Sequence, residues 1–195
     1  MAAQSSLKNM ALCLSAVCLF CSAILAAVYA VTSDPIEQAA RKALELSIGR
    51  VLPEGGVLSE EMTAEQGGQS YQYYASLSDT TVLAYAVKST AIGFGGPLTV
   101  MVGVLPDGTV YNTSVLSHSE TPGLGAKCTS DPKFLANWSL ALRQENGKQL
   151  SNITVTKDGG DVDAITASTI TSRAYALAVS NAVALVKSIG GQVNE

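Results

Sequence analysis

The chain has 195 residues, 47% of them hydrophobic and only 14% charged, and its formal net charge is −4. That length suits one globular domain plus a short extra segment. The twelve basic residues are scattered and form no stripe that could neutralise phosphates, which excludes nucleic acid as the expected partner.

Met10 to Val31 is an apolar block without a charged residue. As a helix it would span about 33 Å, enough to cross a hydrocarbon core. Lys8 precedes the block and Asp34 and Glu37 follow it, so the positive-inside tendency puts residues 1–9 in the cytoplasm. The competing reading is a cleaved signal peptide ending at Val28-Tyr29-Ala30, but the run exceeds the roughly 7–15 apolar residues of such segments. The expectation is a retained single-pass anchor over 10–31, with the C-terminal domain on the periplasmic or extracellular side. Cys13, Cys18 and Cys21 lie in this run, where they read as small lipid-compatible side chains rather than metal ligands. Cys128 is alone in the domain and cannot make an internal disulfide.

Asp34-Pro35 reads as the cap and first residue of a second helix, Ile36 to Arg50, within a linker over 32–56. Residues 57–195 then form the domain. Tyr71 to Ala75 and Val82 to Ser89 are strand-like, rich in aromatic and β-branched residues. Leu98 to Leu105 and Val110 to Ser119 flank Pro106-Asp107-Gly108, a hairpin signal, and Gly93-Phe94-Gly95-Gly96-Pro97 leads into it. Phe134 to Arg143 reads as a helix with Phe134, Trp138 and Leu142 on one face. Ile153 to Thr156 reads as a short strand, and Thr169 to Ile189 as a long helix stopped at Gly190-Gly191. Arg173, Ser180 and Lys187 form a narrow polar stripe on that helix, so most of it should be buried. The pattern is α+β: an antiparallel sheet with flanking helices, preceded by one transmembrane helix.

Two segments carry candidate chemistry. In Glu120-Thr121-Pro122-Gly123-Leu124-Gly125 the glycines and proline allow close backbone approach to a flat ligand, Glu120 and Thr121 offer hydrogen bonds, and Leu124 offers an apolar surface. The same residues also suit a plain surface loop. The second segment, Asp163 to Ser172, places Thr166, Ser168, Thr169 and Thr171 ahead of and within the start of the last helix. Free N–H groups and the helix dipole favour a phosphate there, and a hydroxyl could hold it as an ester. Ordinary capping by Asp163, Ser168 or Thr169 fits as well. His118 beside Ser117 and Ser119 raises a hydrolase alternative, but no nucleophile elbow accompanies it.

Together the two segments resemble the flavin-binding domain of RnfG and NqrC, the covalent-FMN subunits of Rnf and Na+-pumping quinone reductase complexes. The family pairs an E-T-P-G-L-G loop with a D-x-x-S-G-A-T-x-T-S stretch. Here the loop is intact, and Asp163, Thr169, Thr171 and Ser172 match the second pattern, although Ala167 stands where the family has glycine and Ser168 where it has alanine. The short length is more similar to RnfG. The resemblance implies FMN joined by a phosphoester to Thr169, with Glu120, Thr121, Gly123, Leu124, Gly125, Ser168 and Thr171 around the cofactor and no metal. It implies an electron-relay subunit of an ion-translocating ferredoxin:NAD+ oxidoreductase in the cell inner membrane, not a complete catalyst alone. Integral-membrane and iron-sulfur subunits would be its partners, and a flavin transferase would mature it. An NqrC-like role in a Na+-translocating NADH:quinone reductase, or an anchored FMN-binding sensor, is the alternative.

Overall fold

The computed structural model describes residues 7–78 and 81–192. Residues 1–6 of the expected cytoplasmic segment, Asp79 and Thr80, and the last three residues of the domain lie outside them. The chain divides into two compact units, Met1–Ala43 and Leu44–Glu195.

The first unit belongs to α1, Leu7–Val51, a helix of 45 residues. Its most apolar 18-residue window has a mean hydropathy of 2.5 and is long and apolar enough to cross a membrane. Leu12, Leu14, Val17, Leu19, Phe20 and Leu25 are all exposed, so the apolar surface runs round the helix rather than along one stripe. A helix apolar all round belongs in an apolar medium. The expected break at Asp34-Pro35 is absent, because Pro35 lies inside the helix. Proline gives up one backbone bond, yet its fixed φ near −65° is itself helical. Good helix formers from Ala39 to Leu46 and the Glu37–Arg41 pair at 2.6 Å carry the helix onward.

The second unit is built on a six-stranded antiparallel sheet of β1 (Val57–Leu58), β2 (Met62–Gln66), β3 (Gln69–Ser78), β4 (Thr81–Ile92), β5 (Pro97–Val104) and β6 (Val110–His118). The order is β1-β3-β4-β5-β6, and β2 shares the outer edge of β3 with β1. The β5–β6 hairpin is as expected. The β2 strand is not foreshadowed, since Met62-Thr63-Ala64-Glu65-Gln66 has weak strand propensity. Gly67 and Gly68, both at positive φ, turn the chain so that β2 pairs with β3.

Alternation along β5 divides the two faces. Leu98, Val100, Val102 and Val104 join one buried cluster, and Met101 joins another. Helix α4, Thr169–Gln192, covers the first face with Tyr175, Ala178, Val179, Ala182, Leu185 and Val186. Each fully buried Val or Leu there contributes about 1.5–3 kcal/mol. Arg173 and Lys187 lie on the exposed stripe, as the spacing predicts. Gly190 and Gly191 do not stop α4, which continues to Gln192. Glycine permits a left-handed stop but does not impose one.

The last turn of α1 sits on the second face, where Ile48 and Val51 pack with Tyr74, Ala86 and Met101. Gly103 makes this approach possible, since a Cβ there would fall 1.7 Å from the Val51 carbonyl oxygen.

Two further expectations are corrected. Phe134 to Arg143 is not one helix but two: α2, Pro132–Ala136, and α3, Leu140–Glu145. Ser139 caps α3 and resets the helical phase, so Trp138 is fully buried while Leu142 is exposed and Arg143 takes the inward place. Trp138 stacks on Tyr175 at 5.0 Å, with Phe134 edge-on to both rings. Ile153 to Thr156 forms no strand. Only a Val155–Val162 bridge is present, followed by a 3-10 turn, Thr156–Asp158. The Asp161 carboxylate accepts the Ser151 and Asn152 N–H groups at 2.8 and 2.7 Å, drawing that backbone into a loop.

Candidate functional site

The two predicted segments meet although they are far apart in the chain. A pocket of about 380 Å3 is lined by Phe94, Glu120, Thr121, Leu124, Gly125, Ala167, Ser168, Thr169, Ile170 and Thr171. Small-molecule sites span roughly 300–1,000 Å3. Three elements build the pocket: the short loop between β4 and β5, the segment after β6, and the first turn of α4.

Glu120 joins them. It is 6% exposed. One carboxylate oxygen accepts the Thr171 hydroxyl at 2.7 Å and the other accepts the Gly95 N–H at 3.3 Å. Glycines crowd this carboxylate: a Cβ at Gly93 would lie 2.0 Å from Oε1, and one at Gly125 would lie 2.3 Å from Oε2. The glycines near Phe94 and in the loop thus make room for a buried acid. Acceptor-only use of both oxygens makes Glu120 a clasp between loop and helix.

Gly123 is the one predicted residue that does not line the pocket. It holds φ +76° after Pro122, and the Leu124 N–H donates to the Thr121 carbonyl at 3.2 Å. Proline then glycine at the centre of such a turn gives Gly123 a shaping role. The chain continues into a 3-10 turn, Gly125–Thr129, whose buried Cys128 thiol is pushed up to about 11 by burial and by the Glu120 charge.

Thr169 is the first residue of α4, and Ser168 is buried in the cap position before it. The Ser168 carbonyl accepts the first helical N–H, from Ser172, at 3.0 Å. Ahead of them the Ser168 N–H bonds the Ile165 carbonyl at 3.1 Å, closing a turn whose third residue, Ala167, has φ +62°. The left-handed conformation is retained despite the missing glycine. Asp163 does not cap α4. Its carboxylate binds Lys148 at 2.7 Å and its backbone is held by Asn137, on the far side of the loop.

Lys157 is a pocket-edge residue that the sequence did not single out. Its ammonium donates to Thr169 Oγ1 at 3.2 Å. Beside it, Arg173 on α4 makes a two-pronged bond to Asp158, both contacts at 2.7 Å. The guanidinium bonds hold the Asp158 carboxyl below its usual range, against a smaller opposing effect of desolvation. His118 Nδ1 accepts the Glu120 N–H at 3.2 Å, so the histidine fastens the loop; its partner is a backbone amide rather than a serine hydroxyl.

Phe94, Leu124 and Ile170 leave large apolar surfaces exposed around the pocket, with Phe94 at 70%. An apolar wall suits a planar ring, and a hydroxyl-bearing helix start with a nearby cation suits a phosphate. The donor set therefore fits a flavin mononucleotide.

Comparison with known proteins agrees with this geometry. Residues 93–184 match the family model of the FMN-binding domain, which holds every lining residue, and residues 1–51 match that of the RnfG N-terminal region. The RnfG-type component of the proton-translocating ferredoxin:NAD(+) oxidoreductase complex of Clostridium ljungdahlii is 31% identical, over 96% of each chain. The chain belongs to the RnfG family. The corresponding component of the ion-translocating oxidoreductase complex of Vibrio cholerae is another relative, 33% identical over 84% of this chain and 82% of its own. Among solved structures, NqrC of Shewanella oneidensis is similar, with 22% identity, a TM-score of 0.49 and 69% of each chain covered.

Proposed function

We propose that this RnfG-family chain is the electron-relay subunit of a membrane-bound, ion-translocating Rnf-type ferredoxin:NAD+ oxidoreductase, carrying FMN esterified to Thr169. The observation that carries the reading is the single pocket that gathers the Glu120 to Gly125 loop against the hydroxyl opening α4. Bound flavin supplies one- and two-electron transfer, and the protein supplies position and electrostatics. Phe94, Leu124 and Ile170 wall the ring, Glu120 fastens the β4–β5 loop to α4, and Thr169 fixes the phosphate at the positive end of the helix.

A separate transferase supplies the activating base, because a threonine hydroxyl is a weak nucleophile. Thr169 Oγ1 bonds to the FMN-side phosphorus of FAD, the pyrophosphate link breaks, AMP departs and the hydroxyl proton passes to that base. Covalent attachment keeps the cofactor from dilution outside the cell. The segment 10–31 anchors residues 57–195 near integral-membrane and iron-sulfur partner subunits, through the linker 32–56, on the non-cytoplasmic face of the inner membrane. Anchoring raises the effective concentration of the carrier at its partners.

The test is expression of the full chain with a flavin transferase, followed by intact mass and in-gel fluorescence after denaturation. Wild type gains the mass of FMN less water, and Thr169→Ala remains dark at unmodified mass. A Thr169→Ala chain that keeps the covalent flavin overturns the assignment.

A further inference from the structure

The attachment reading leaves one charge unexplained. A phosphodiester on Thr169 keeps one negative charge, and the nearest cation is on neither of the two segments that define the pocket. Lys157 approaches from the 3-10 turn before the second of them, with its ammonium 3.2 Å from Thr169 Oγ1.

That approach is anchored. The Lys157 turn is closed by the Asp158 N–H on the Val155 carbonyl at 2.8 Å and by the bridge from Val155 to Val162. Asp158 is then tied by two bonds to Arg173. Arg173 follows Thr169 by one helical turn, so the two lie on one face of α4. The pair fastens the turn to the same helical face that presents the hydroxyl. Asp158 and Arg173 cancel one another, and Lys157 leaves the group with one net positive charge beside Oγ1.

We propose that Lys157 is a positioning residue for phosphoryl transfer to Thr169, holding the incoming phosphate and then neutralising the phosphodiester. The proposal rests on the reading of Thr169 as the attachment point. As Oγ1 bonds to the FMN-side phosphorus of FAD and AMP leaves, the ammonium lies within reach of an oxygen on that phosphorus. It neither donates nor takes the transferred proton.

Full-length chain in detergent, mixed with FAD and a flavin transferase, gives a time course of covalent flavin by in-gel fluorescence. Lys157→Gln is expected to label about two- to fivefold more slowly, the scale of one solvent-exposed ion pair. Lys157→Arg restores the rate, and the wild-type advantage shrinks in high salt. The melting temperature of Lys157→Gln matches wild type, because the side chain is exposed. A Lys157→Gln chain that labels at the wild-type rate, or a Lys157→Arg chain as slow as it, overturns the proposal. A Thr169→Ala control that still labels removes the attachment point itself, so failure of that reading is told apart from failure of the lysine alone.

Discussion

Replacing Ala167 by glycine removes one methyl group and tests the backbone argument directly. Ala167 holds φ +62° at the third position of the turn from Ile165 to Ser168. A left-handed conformation costs an L-residue about 1–2 kcal/mol. Glycine escapes that cost but loses about 0.4–1 kcal/mol through the greater freedom of the unfolded chain. The methyl is exposed, so its removal forfeits little buried surface. The balance is a gain of about 1 kcal/mol, and for a unit of this size that raises the melting temperature by about 2–4 °C. The assay is thermal unfolding of unflavinylated full-length chain in detergent, followed by circular dichroism. An unchanged or lower melting temperature would refute the strain argument, since no lost contact is available to offset the relief.

Gly125→Ala drives a Cβ to 2.3 Å from Glu120 Oε2 and 2.7 Å from Thr171 Oγ1, breaking the clasp between loop and helix. The expected cost is about 1–3 kcal/mol, and loss of covalent flavin labelling at a temperature where the chain stays folded is the readout. Cys128, fully buried with its thiol raised from the ordinary 9.0 to about 11, should resist alkylation at pH 8 and react only in denaturant. The native state holds this proton above pH 9 while the unfolded chain releases it. Its contribution to stability is therefore complete below about pH 9 and is lost between about 9 and 11, which urea titrations of wild type against Cys128→Ala would resolve.

Local chemistry made much of this protein legible in the sequence. An uncharged apolar run of helical length, the β5–β6 hairpin with Asp107-Gly108 at its turn, and the mostly buried α4 with its polar stripe all follow from near-neighbour patterns. The two site segments were visible for the same reason, being runs of unusual residues. The structure alone decided what depends on partners distant in the chain. Strand β2 exists because β3 accepts it, and Phe134 to Arg143 splits because Trp138 finds Tyr175. Asp163 serves Lys148 and Asn137 instead of α4. Glu120 could be recognised as a candidate, but not as the clasp across Gly95 and Thr171, nor could Lys157 be assigned to Thr169. Periodicity records what a residue does within its own element, whereas a clasp, a buried ring stack or a cation at a hydroxyl depends on how separate elements are brought face to face.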